Sequence, residues 1–185
     1  MLDVERFIGD CRQAVAGSDG QKAIQALVER AVSDPSGVLA GLGEPERAGV
    51  QKIHVSDNLT ILNVIWGPQM TLMPHNHEMW AVIGIYTGRE DNIFWRRISE
   101  AKNGKIKAAG AQALEVKDVE ILGRDVIHSV TNPVNRLTGA IHIYGGQFFS
   151  EPRSEWDPET LLEGRYDLEK NMRLFEDSNR RLTAA

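Results

Sequence analysis

Two histidines separated by one residue are the most informative chemical feature of the chain. His75 and His77 flank Asn76. In a β-strand, side chains point to alternate faces with a period of two, so these two imidazoles would lie on the same face. Two imidazoles that converge from one face supply half of a typical transition-metal site. The pair therefore predicts a metal centre, provided that further ligands reach it from elsewhere in the chain.

A third histidine lies in a separate part of the chain. His128 belongs to the apolar segment 126–130, which follows the turn-forming segment 123–125. If segment 126–130 is a strand that lies close to the one that carries His75 and His77, the imidazole of His128 supplies a third ligand beside theirs. Imidazole ligands suit iron, zinc, nickel and copper, so the residue types alone do not select the metal.

Composition excludes several classes of function. Lys and Arg number 21 against 26 Asp and Glu, a net charge of −5 without a basic run, which argues against a nucleic-acid or anionic-membrane partner. The first residues show no charged-then-apolar leader, and no apolar run approaches about 18 residues, so we expect a cytoplasmic protein. Cys11 is the single cysteine, which excludes an intrachain disulfide and a zinc site with several cysteines.

The elements that must position these residues change type along the chain. Apolar residues recur at helical spacing in 2–16 and 20–32, and a turn-rich segment follows at 33–37. Strand-like patterns then predict nine short strands at 53–55, 59–65, 71–77, 80–86, 92–98, 106–109, 114–119, 126–130 and 139–144. A surface helix is predicted at 168–182.

Many short strands at this spacing predict a mainly β fold, a sandwich or a barrel. We expect a single domain over 1–185, in which a helical N-terminal extension (1–45) precedes the β-barrel (50–150) and a C-terminal extension (151–185) follows it. Segment 88–92, with its glycine and four polar residues, is interpreted as a hairpin turn whose charges are solvated. Barrels with helical N-terminal extensions often pair, so a homodimer is one arrangement that the sequence allows.

The order of glycines and histidines in segment 66–144 resembles the two metal-binding motifs of the cupin superfamily. These motifs are Gly…His-x-His…Gly and Gly-x-x-x-x-His-x-x-x-Asn, and they imply a double-stranded β-helix, or jelly-roll barrel. Cupins usually carry a glutamate ligand four residues after the second histidine, where this chain has Ala81. Glu78 directly follows His77 and would point to the opposite face of a regular strand. The resemblance therefore implies three histidine ligands, His75, His77 and His128, without a carboxylate.

Within the cupins, the chain is similar to the thiol dioxygenases, the group of cysteine dioxygenase and mercaptopropionate dioxygenase. The similarity is carried by the segments 66–68, 75–77, 80–84, His128 and 142–145. It implies that the three histidines bind Fe(II), whereas the chemistry of imidazole ligands leaves zinc and nickel as alternatives. It also implies a small-molecule substrate and O2 as partners, and the oxidation of a small thiol carboxylate to its sulfinic acid.

The same group has a Ser-x-His-x-Tyr strand that places a tyrosine hydroxyl beside the substrate. This chain has His142 and Tyr144 at the matching positions but Ala140 in place of the serine. A period of two puts the three residues on one face, so His142 can contact Tyr144 inside the barrel. The resemblance implies catalytic roles for His142 and Tyr144. Some members link the tyrosine to a cysteine, and because Ala81 holds that place, this crosslink cannot form here.

An arginine usually binds the substrate carboxylate in this group, because its planar guanidinium pairs with two oxygens at once. The segment 53–59, where cysteine dioxygenases carry it, contains no arginine. Arg153 follows the Tyr144 strand, as in the mercaptopropionate enzymes, so it is predicted to bind the substrate. The alternative is a surface arginine paired with Glu151 or Glu155.

Two other classes of function fit the same residues. The first keeps the metal but acts on a non-thiol substrate, as a dioxygenase for a β-diketone or another enolate, or as a zinc or nickel lyase or isomerase. The second is a non-catalytic, ligand-binding cupin with a vestigial site. A cavity crowded by side chains would favour this second class.

Overall fold

The computed structural model describes residues 1–101 and 103–184. Within residues 1–101, three helices precede the first strand: α1 Val4–Val15, α2 Gly20–Val32 and α3 Pro35–Leu42. Helix α3 replaces part of the turn predicted at 33–37. Pro35 begins this helix without loss of a hydrogen bond, because the amide of a first-turn residue has no partner within the helix. The Asp34 side chain caps the free amide of Gly37. No helix in the described part of the chain is both long and apolar enough to cross a membrane.

The described residues contain eleven strands in two antiparallel sheets. The strands are β1 Gly49–Val55, β2 Thr60–Trp66, β3 Thr71–Asn76, β4 Ala81–Thr87, β5 Arg89–Arg97, β6 Ile106–Glu115, β7 Val119–Leu122, β8 Ile127–Thr131, β9 Thr138–Tyr144, β10 Ser154–Trp156 and β11 Glu163–Arg165. The five-stranded sheet has the order β1-β2-β9-β4-β7, and the six-stranded sheet has the order β11-β10-β3-β8-β5-β6. This is a mainly β double-stranded β-helix with N-terminal helices and a C-terminal helix, and the predicted fold class is confirmed.

The predicted strands differ from the structure in several places, and β7 Val119–Leu122 was not among them. The strand predicted at 114–119 is wrong, because β6 ends at Glu115 and a turn follows in which Lys117 has a φ of 82°. The Asp118 carboxylate closes that turn by accepting a hydrogen bond from the amide of Glu115 (2.8 Å). The short strands β10 and β11 lie in the segment after Phe149, where the sequence shows no clear period.

Alternation along the five-stranded sheet separates two apolar clusters. Inward side chains such as Leu62, Ile83 and Tyr144 fill the barrel, whereas outward ones such as Val82 and Ile143 pack under the N-terminal helices. Gly84 marks the closest approach of α2 to β4, since a Cβ at that position would lie 2.4 Å from a methyl of Val28. The N-terminal helices therefore cover the outside of the five-stranded sheet and do not cap the barrel.

The last helix, α4 Leu168–Ala184, covers one end of the barrel interior. The Phe175 ring stacks on Trp66 with centroids 5.4 Å apart. The Glu155 carboxylate on β10 anchors the helix, accepting hydrogen bonds from Lys170 (2.8 Å) and Asn171 (2.9 Å). The helix predicted at 168–182 is present, but the face that carries Phe175 is buried against the barrel.

Candidate metal centre

Three histidines converge inside the barrel from neighbouring elements of the six-stranded sheet. His75 on β3 lies directly opposite His128 on β8 in the antiparallel register, and His77 follows the end of β3. Their ring centroids are 4.7 to 5.1 Å apart. One nitrogen from each ring lies within 4.8 Å of the other two. The side chains are 4%, 2% and 1% exposed, so the cluster is shielded from water.

Hydrogen bonds to the far side of two rings fix which nitrogen faces the cluster. The Nδ1 atom of His75 lies 2.9 Å from the carbonyl oxygen of Met73, and that of His128 lies 2.7 Å from Oδ1 of Asn92. Both oxygens are acceptors, so each Nδ1 carries the hydrogen and each Nε2 keeps its lone pair. Partners of this kind are typical behind metal-ligating histidines.

The spacing of the nitrogens fits an ion between them. The Nε2 atoms of His77 and His128 are 3.3 Å apart. Two nitrogens that each lie at about 2.0–2.1 Å from one ion, at octahedral to tetrahedral angles, are about 2.8 to 3.4 Å apart. The donor set and its geometry therefore fit a transition metal held by three imidazoles.

The electrostatic surroundings keep the three rings neutral. Burial lowers the pKa of His75 to about 4, and it lowers the pKa values of His77 and His128 well below the usual histidine range. The closeness of the rings to one another lowers the pKa of His77 and of His128 further. Neutral imidazole is the form that binds metal, so protons do not compete for these nitrogens near pH 7.

The cluster of potential metal ligands found in residues 1–101 and 103–184 contains these three histidines and no carboxylate. Glu78 has a φ of 56° and accepts a hydrogen bond from the Asn76 amide group (2.6 Å), while its other oxygen lies 4.0 Å from Arg124. Ala81 is buried on β4, where its backbone pairs with Tyr144. An ion held by three neutral imidazoles would keep its full positive charge.

His142 and Tyr144 lie on the opposite sheet and face the same interior. A hydrogen bond joins Nδ1 of His142 to the Tyr144 hydroxyl (3.0 Å), so the two side chains meet as the period of two predicts. The Tyr144 ring lies 5.0 Å from the His77 ring. Burial raises the pKa of Tyr144, so the hydroxyl keeps its proton beside the cluster.

Arg153 is buried, contrary to the alternative of a surface arginine. It is 7% exposed, and its guanidinium carbon lies 3.9 Å from the Phe148 ring centroid and 4.2 Å from that of Tyr166. One Nη donates to the carbonyl oxygen of Phe148 (2.7 Å), and within the described part of the chain its Nε has no hydrogen-bond partner. The alternative, a pairing with Glu151 or Glu155, is absent among these residues, and the Glu155 carboxylate binds α4.

The cavity beside the histidines is small and mostly apolar. Its volume is about 30 Å³, which is room for about two water molecules. Besides the histidines, Tyr144 and Tyr166, it is lined by Val50, Leu62, Val64, Trp66, Leu72, Val130, Phe148, Met172 and Phe175. A substrate therefore needs movement of lining side chains or of α4 to enter.

A buried carboxylate, Glu90, lies in the segment 88–92, which the sequence pattern had indicated to be a solvated hairpin turn. Gly88 does turn, with a φ of 81°, but β5 begins directly after it, and Glu90 and Asn92 are 0% and 1% exposed. Arg89 and Asp91 point outward and pair with each other. The strict alternation of Arg89, Glu90, Asp91 and Asn92 on a strand next to a turn is the signal that could have revealed the inward pair.

Glu90 is surrounded by hydrogen-bond donors inside the barrel. Its Oε2 accepts from the Trp66 indole (2.8 Å) and its Oε1 from the Asn92 amide group (3.0 Å). The Nε2 atom of His142 lies 3.5 Å from Oε2. Burial alone would raise the pKa of Glu90, but His142, Asn92 and Trp66 together outweigh burial and hold the pKa below its usual value. A negative charge therefore lies one side chain behind the histidine cluster.

No family model matches the sequence. Among solved structures, a deletion mutant of oxalate decarboxylase from Bacillus subtilis is similar, with 14% identity over 58% of this chain and 28% of its own and a TM-score of 0.44. Oxalate oxidase in complex with glycolate shows 13% identity over 56% of this chain and 53% of its own, with a TM-score of 0.43. An RmlC-like cupin from Methanocaldococcus jannaschii shows 8% identity over 56% of this chain and 84% of its own, with a TM-score of 0.45.

The chain thus spans 28% and 53% of the length of the two oxalate enzymes. At these identities a likeness concerns the fold alone, and the assignment of the fold rests on the strand order of the two sheets. By that topology the chain is a double-stranded β-helix, and the histidine cluster lies in its interior.

Proposed function

We propose that the protein is a thiol dioxygenase that uses O2 to oxidise a small thiol carboxylate to its sulfinic acid at a three-histidine Fe(II) centre. The observation that carries this proposal is the set of three buried, neutral imidazoles without a carboxylate, opposite a hydrogen-bonded histidine–tyrosine pair. The reaction adds both oxygen atoms of O2 to the thiolate sulfur, which rises two steps on the oxidation ladder. A bound Fe(II) ion would supply the redox chemistry towards O2 and lower the pKa of a coordinated thiol.

The charge of the ligand set favours an anionic substrate. His75, His77 and His128 are held neutral, so they do not compensate the charge of a divalent ion. A thiolate or an enolate that reaches the ion supplies the missing negative charge. The buried cavity strengthens this attraction because little water screens it.

Arg153 supports a substrate that carries a carboxylate as well as a thiol. Its guanidinium lies over the rings of Phe148 and Tyr166, both of which line the cavity. Its positive charge is close enough to lower the pKa values of His75 and His77. The buried Nε–H has no partner among the described residues and would donate to a carboxylate oxygen.

Tyr144 supplies a hydrogen-bond donor at the same place. Its hydroxyl keeps its proton because burial raises the pKa, and the bond to His142 fixes the ring position. When a substrate enters, the single hydroxyl hydrogen would turn from Nδ1 of His142 to the sulfur or oxygen of the substrate, where it stabilises the charge that shifts between them. His142 is a positioning residue in this scheme.

One observation favours the non-catalytic alternative. A cavity of about 30 Å³ is crowded, as expected for a ligand-binding cupin with a vestigial site. The buried charges of Glu90 and Arg153 weigh against it, since each is costly to bury and neither is needed to fill a barrel. The thiol dioxygenase proposal gives the charge of Arg153 a role, which is to bind the substrate carboxylate. A dioxygenase for an enolate, or a zinc or nickel lyase, remains the other catalytic alternative.

The test is oxygen consumption by protein loaded with one equivalent of Fe(II) under anaerobic conditions. We expect uptake with 3-mercaptopropionate or cysteine and detection of the sulfinate by mass spectrometry, with both oxygens labelled when 18O2 is used. Cysteamine, a thiol without a carboxylate, and 2,4-pentanedione, an enolate source, are the comparison substrates. Stoichiometric iron without uptake across the thiol panel would overturn the proposal. Uptake with 2,4-pentanedione alone would favour the enolate alternative.

Metal analysis separates the remaining alternatives. Protein produced in defined iron medium is expected to retain iron. Zinc found after ordinary expression would be poor evidence, because imidazole sites bind the later divalent metals more tightly whatever the native ion.

A further inference from the structure

Glu90 lies where the hydrogen-bond networks behind the cluster meet, and nothing in the proposed reaction uses it. It is completely buried on β5, within the barrel and away from the histidine ligands. A buried carboxylate costs several kcal/mol unless its oxygens are satisfied, so its retention needs a reason. The contacts of its two oxygens supply one.

A carboxylate only accepts hydrogen bonds, and this fixes the direction of every bond around Glu90. The Trp66 indole nitrogen is a donor only and points at Oε2. The Asn92 side chain has one donor end and one acceptor end, so it must turn its NH2 group towards Oε1. The carboxylate thereby determines the orientation of the Asn92 amide group.

The orientation of the Asn92 amide group determines which of its atoms faces His128. With its NH2 group towards Glu90, the amide must present Oδ1 to the His128 ring, 2.7 Å from Nδ1. An oxygen acceptor there requires a hydrogen on Nδ1, which leaves the Nε2 lone pair for the metal. The opposite orientation of Asn92 would place NH2 against Nδ1 and put the ring hydrogen on Nε2, where it blocks coordination.

We propose that Glu90 is a positioning residue that sets the tautomer of the ligand His128 through Asn92 and so keeps its Nε2 lone pair directed into the cluster. The same carboxylate supplies negative charge behind a ligand set that has none of its own. The inference rests on the proposed metal centre. It does not depend on which substrate that centre oxidises.

The decisive variant is Glu90→Gln, which keeps the shape but replaces one acceptor with a donor. Because the Trp66 indole can only donate, the glutamine oxygen is expected to stay towards Trp66 and its NH2 group to face Asn92. Asn92 must then flip, and the hydrogen of the His128 ring moves to Nε2. Asp91→Asn is the matched control, since it removes one charge from the outward face of the same strand.

Nitrogen NMR of 15N-histidine-labelled, metal-free protein reports the tautomer directly. In the wild type we expect His128 to carry its hydrogen on Nδ1. In Glu90→Gln we expect it on Nε2, and in Asp91→Asn we expect no change. A wild-type His128 with its hydrogen on Nε2 would overturn the inference, and that measurement needs no variant to fold.

Co(II) titration, followed by the absorption of the bound ion, gives a second readout. Loss of a partner behind a ligand typically weakens metal binding 10- to 100-fold, so we expect about this loss for Glu90→Gln and less than about threefold for Asp91→Asn. Asn92→Ala should lose a similar amount of Co(II) affinity. The double variant should lose little more, because both changes break the same chain of hydrogen bonds from Glu90 through Asn92 to His128. Losses that multiply in the double variant, or wild-type affinity in Glu90→Gln, would overturn the inference.

These outcomes are distinguishable from failure of the proposed function. If the wild-type protein binds no Co(II), both the proposed metal centre and the proposed reaction are overturned. Wild-type protein that binds Co(II) but oxidises no thiol removes only the proposed reaction, and the tautomer measurements still decide the role of Glu90.

Discussion

The two sheets of the barrel are covered differently, and they contribute different parts of the site. The five-stranded sheet lies under the N-terminal helices, so all residues of β2 and β9 are buried. The outer face of the six-stranded sheet is exposed to solvent along β5 and β6, where Ile93 is 41% exposed. It is this less covered sheet that supplies the three histidines and Glu90, whereas the covered sheet supplies His142 and Tyr144.

This difference between the sheets determines which inward-facing polar residues can be recognised from the sequence, and how rigidly the strands hold them. When one face of a sheet is exposed to solvent, side chains alternate between solvent and interior, so a polar residue at an inward position can be recognised, as on β5. On a sheet buried on both faces, the whole strand is apolar and an inward histidine such as His142 is an exception to the pattern. The ligands also gain rigidity from their positions, because β3 and β8 are inner strands, each paired on both sides.

The largest effect is expected from His128→Ala, which removes a ligand of the six-stranded sheet. We expect Co(II) affinity to fall by more than about 100-fold, because loss of a ligand exceeds the 10- to 100-fold typical of loss of its partner. Thiol-dependent oxygen uptake should disappear. His54→Ala, on β1 outside the cluster, is the control and should retain both. Tight Co(II) binding by His128→Ala would show that the cluster is not the metal site.

The unequal cover of the two sheets can be tested with a pair of isoleucines. Ile143→Ala, under the helices on β9, should cost about 2–5 kcal/mol of unfolding free energy because it leaves a cavity in a closed core. Ile93→Ala, on the outer face of β5, should change it by less than about 0.5 kcal/mol. Urea denaturation followed by circular dichroism measures both. Similar losses would mean that a further element covers the six-stranded sheet in solution.

Acid should destabilise the metal-free protein through the ligands of the six-stranded sheet. The pKa of His75 is lowered from 6.5 to about 4, so between these pH values the unfolded chain binds a proton that the folded chain does not. The unfolding free energy therefore falls as the pH falls from 6.5 to 4, by about 3 kcal/mol from His75. Denaturation at a series of pH values should show a shallower slope for His75→Gln. Parallel slopes would contradict the assignment.

The smallest effect is expected at the substrate end of the site. Arg153→Lys keeps the charge but loses the planar fork, so KM for 3-mercaptopropionate should rise about 10- to 100-fold. The KM for cysteamine should not change, because that thiol has no carboxylate. Steady-state oxygen uptake with the two thiols measures this split. An equal rise for both would indicate that Arg153 only supports Phe148 and Tyr166.

Much of the site could be predicted because its signals are local or periodic. The pair His75 and His77 is visible as two imidazoles on one face, and His142 and Tyr144 share a face on the same principle. Helix α4 was predicted from its charge pattern. Helix α3 was missed because a proline at a helix start resembles a proline in a turn.

Other features could not be read from the sequence because they depend on contacts distant along the chain. The role of Glu90 requires the approach of Trp66 and His142, which come from β2 and β9. The burial of Arg153 requires the rings of Phe148 and Tyr166, over which its guanidinium lies. The size of the cavity depends on α4, whose docking to Glu155 leaves no local pattern.

The sequence by itself determined the alternation that turns His75 and His77 to one side, and the absence of a carboxylate at position 81. Both follow from residue identity and a period of two, which need no partner. Only the tertiary structure decided that His128 lies opposite His75, and that Glu90 orients the amide behind it. Strand register and hydrogen-bond direction are properties of pairs, and the pairs form only when the two sheets close around a common interior.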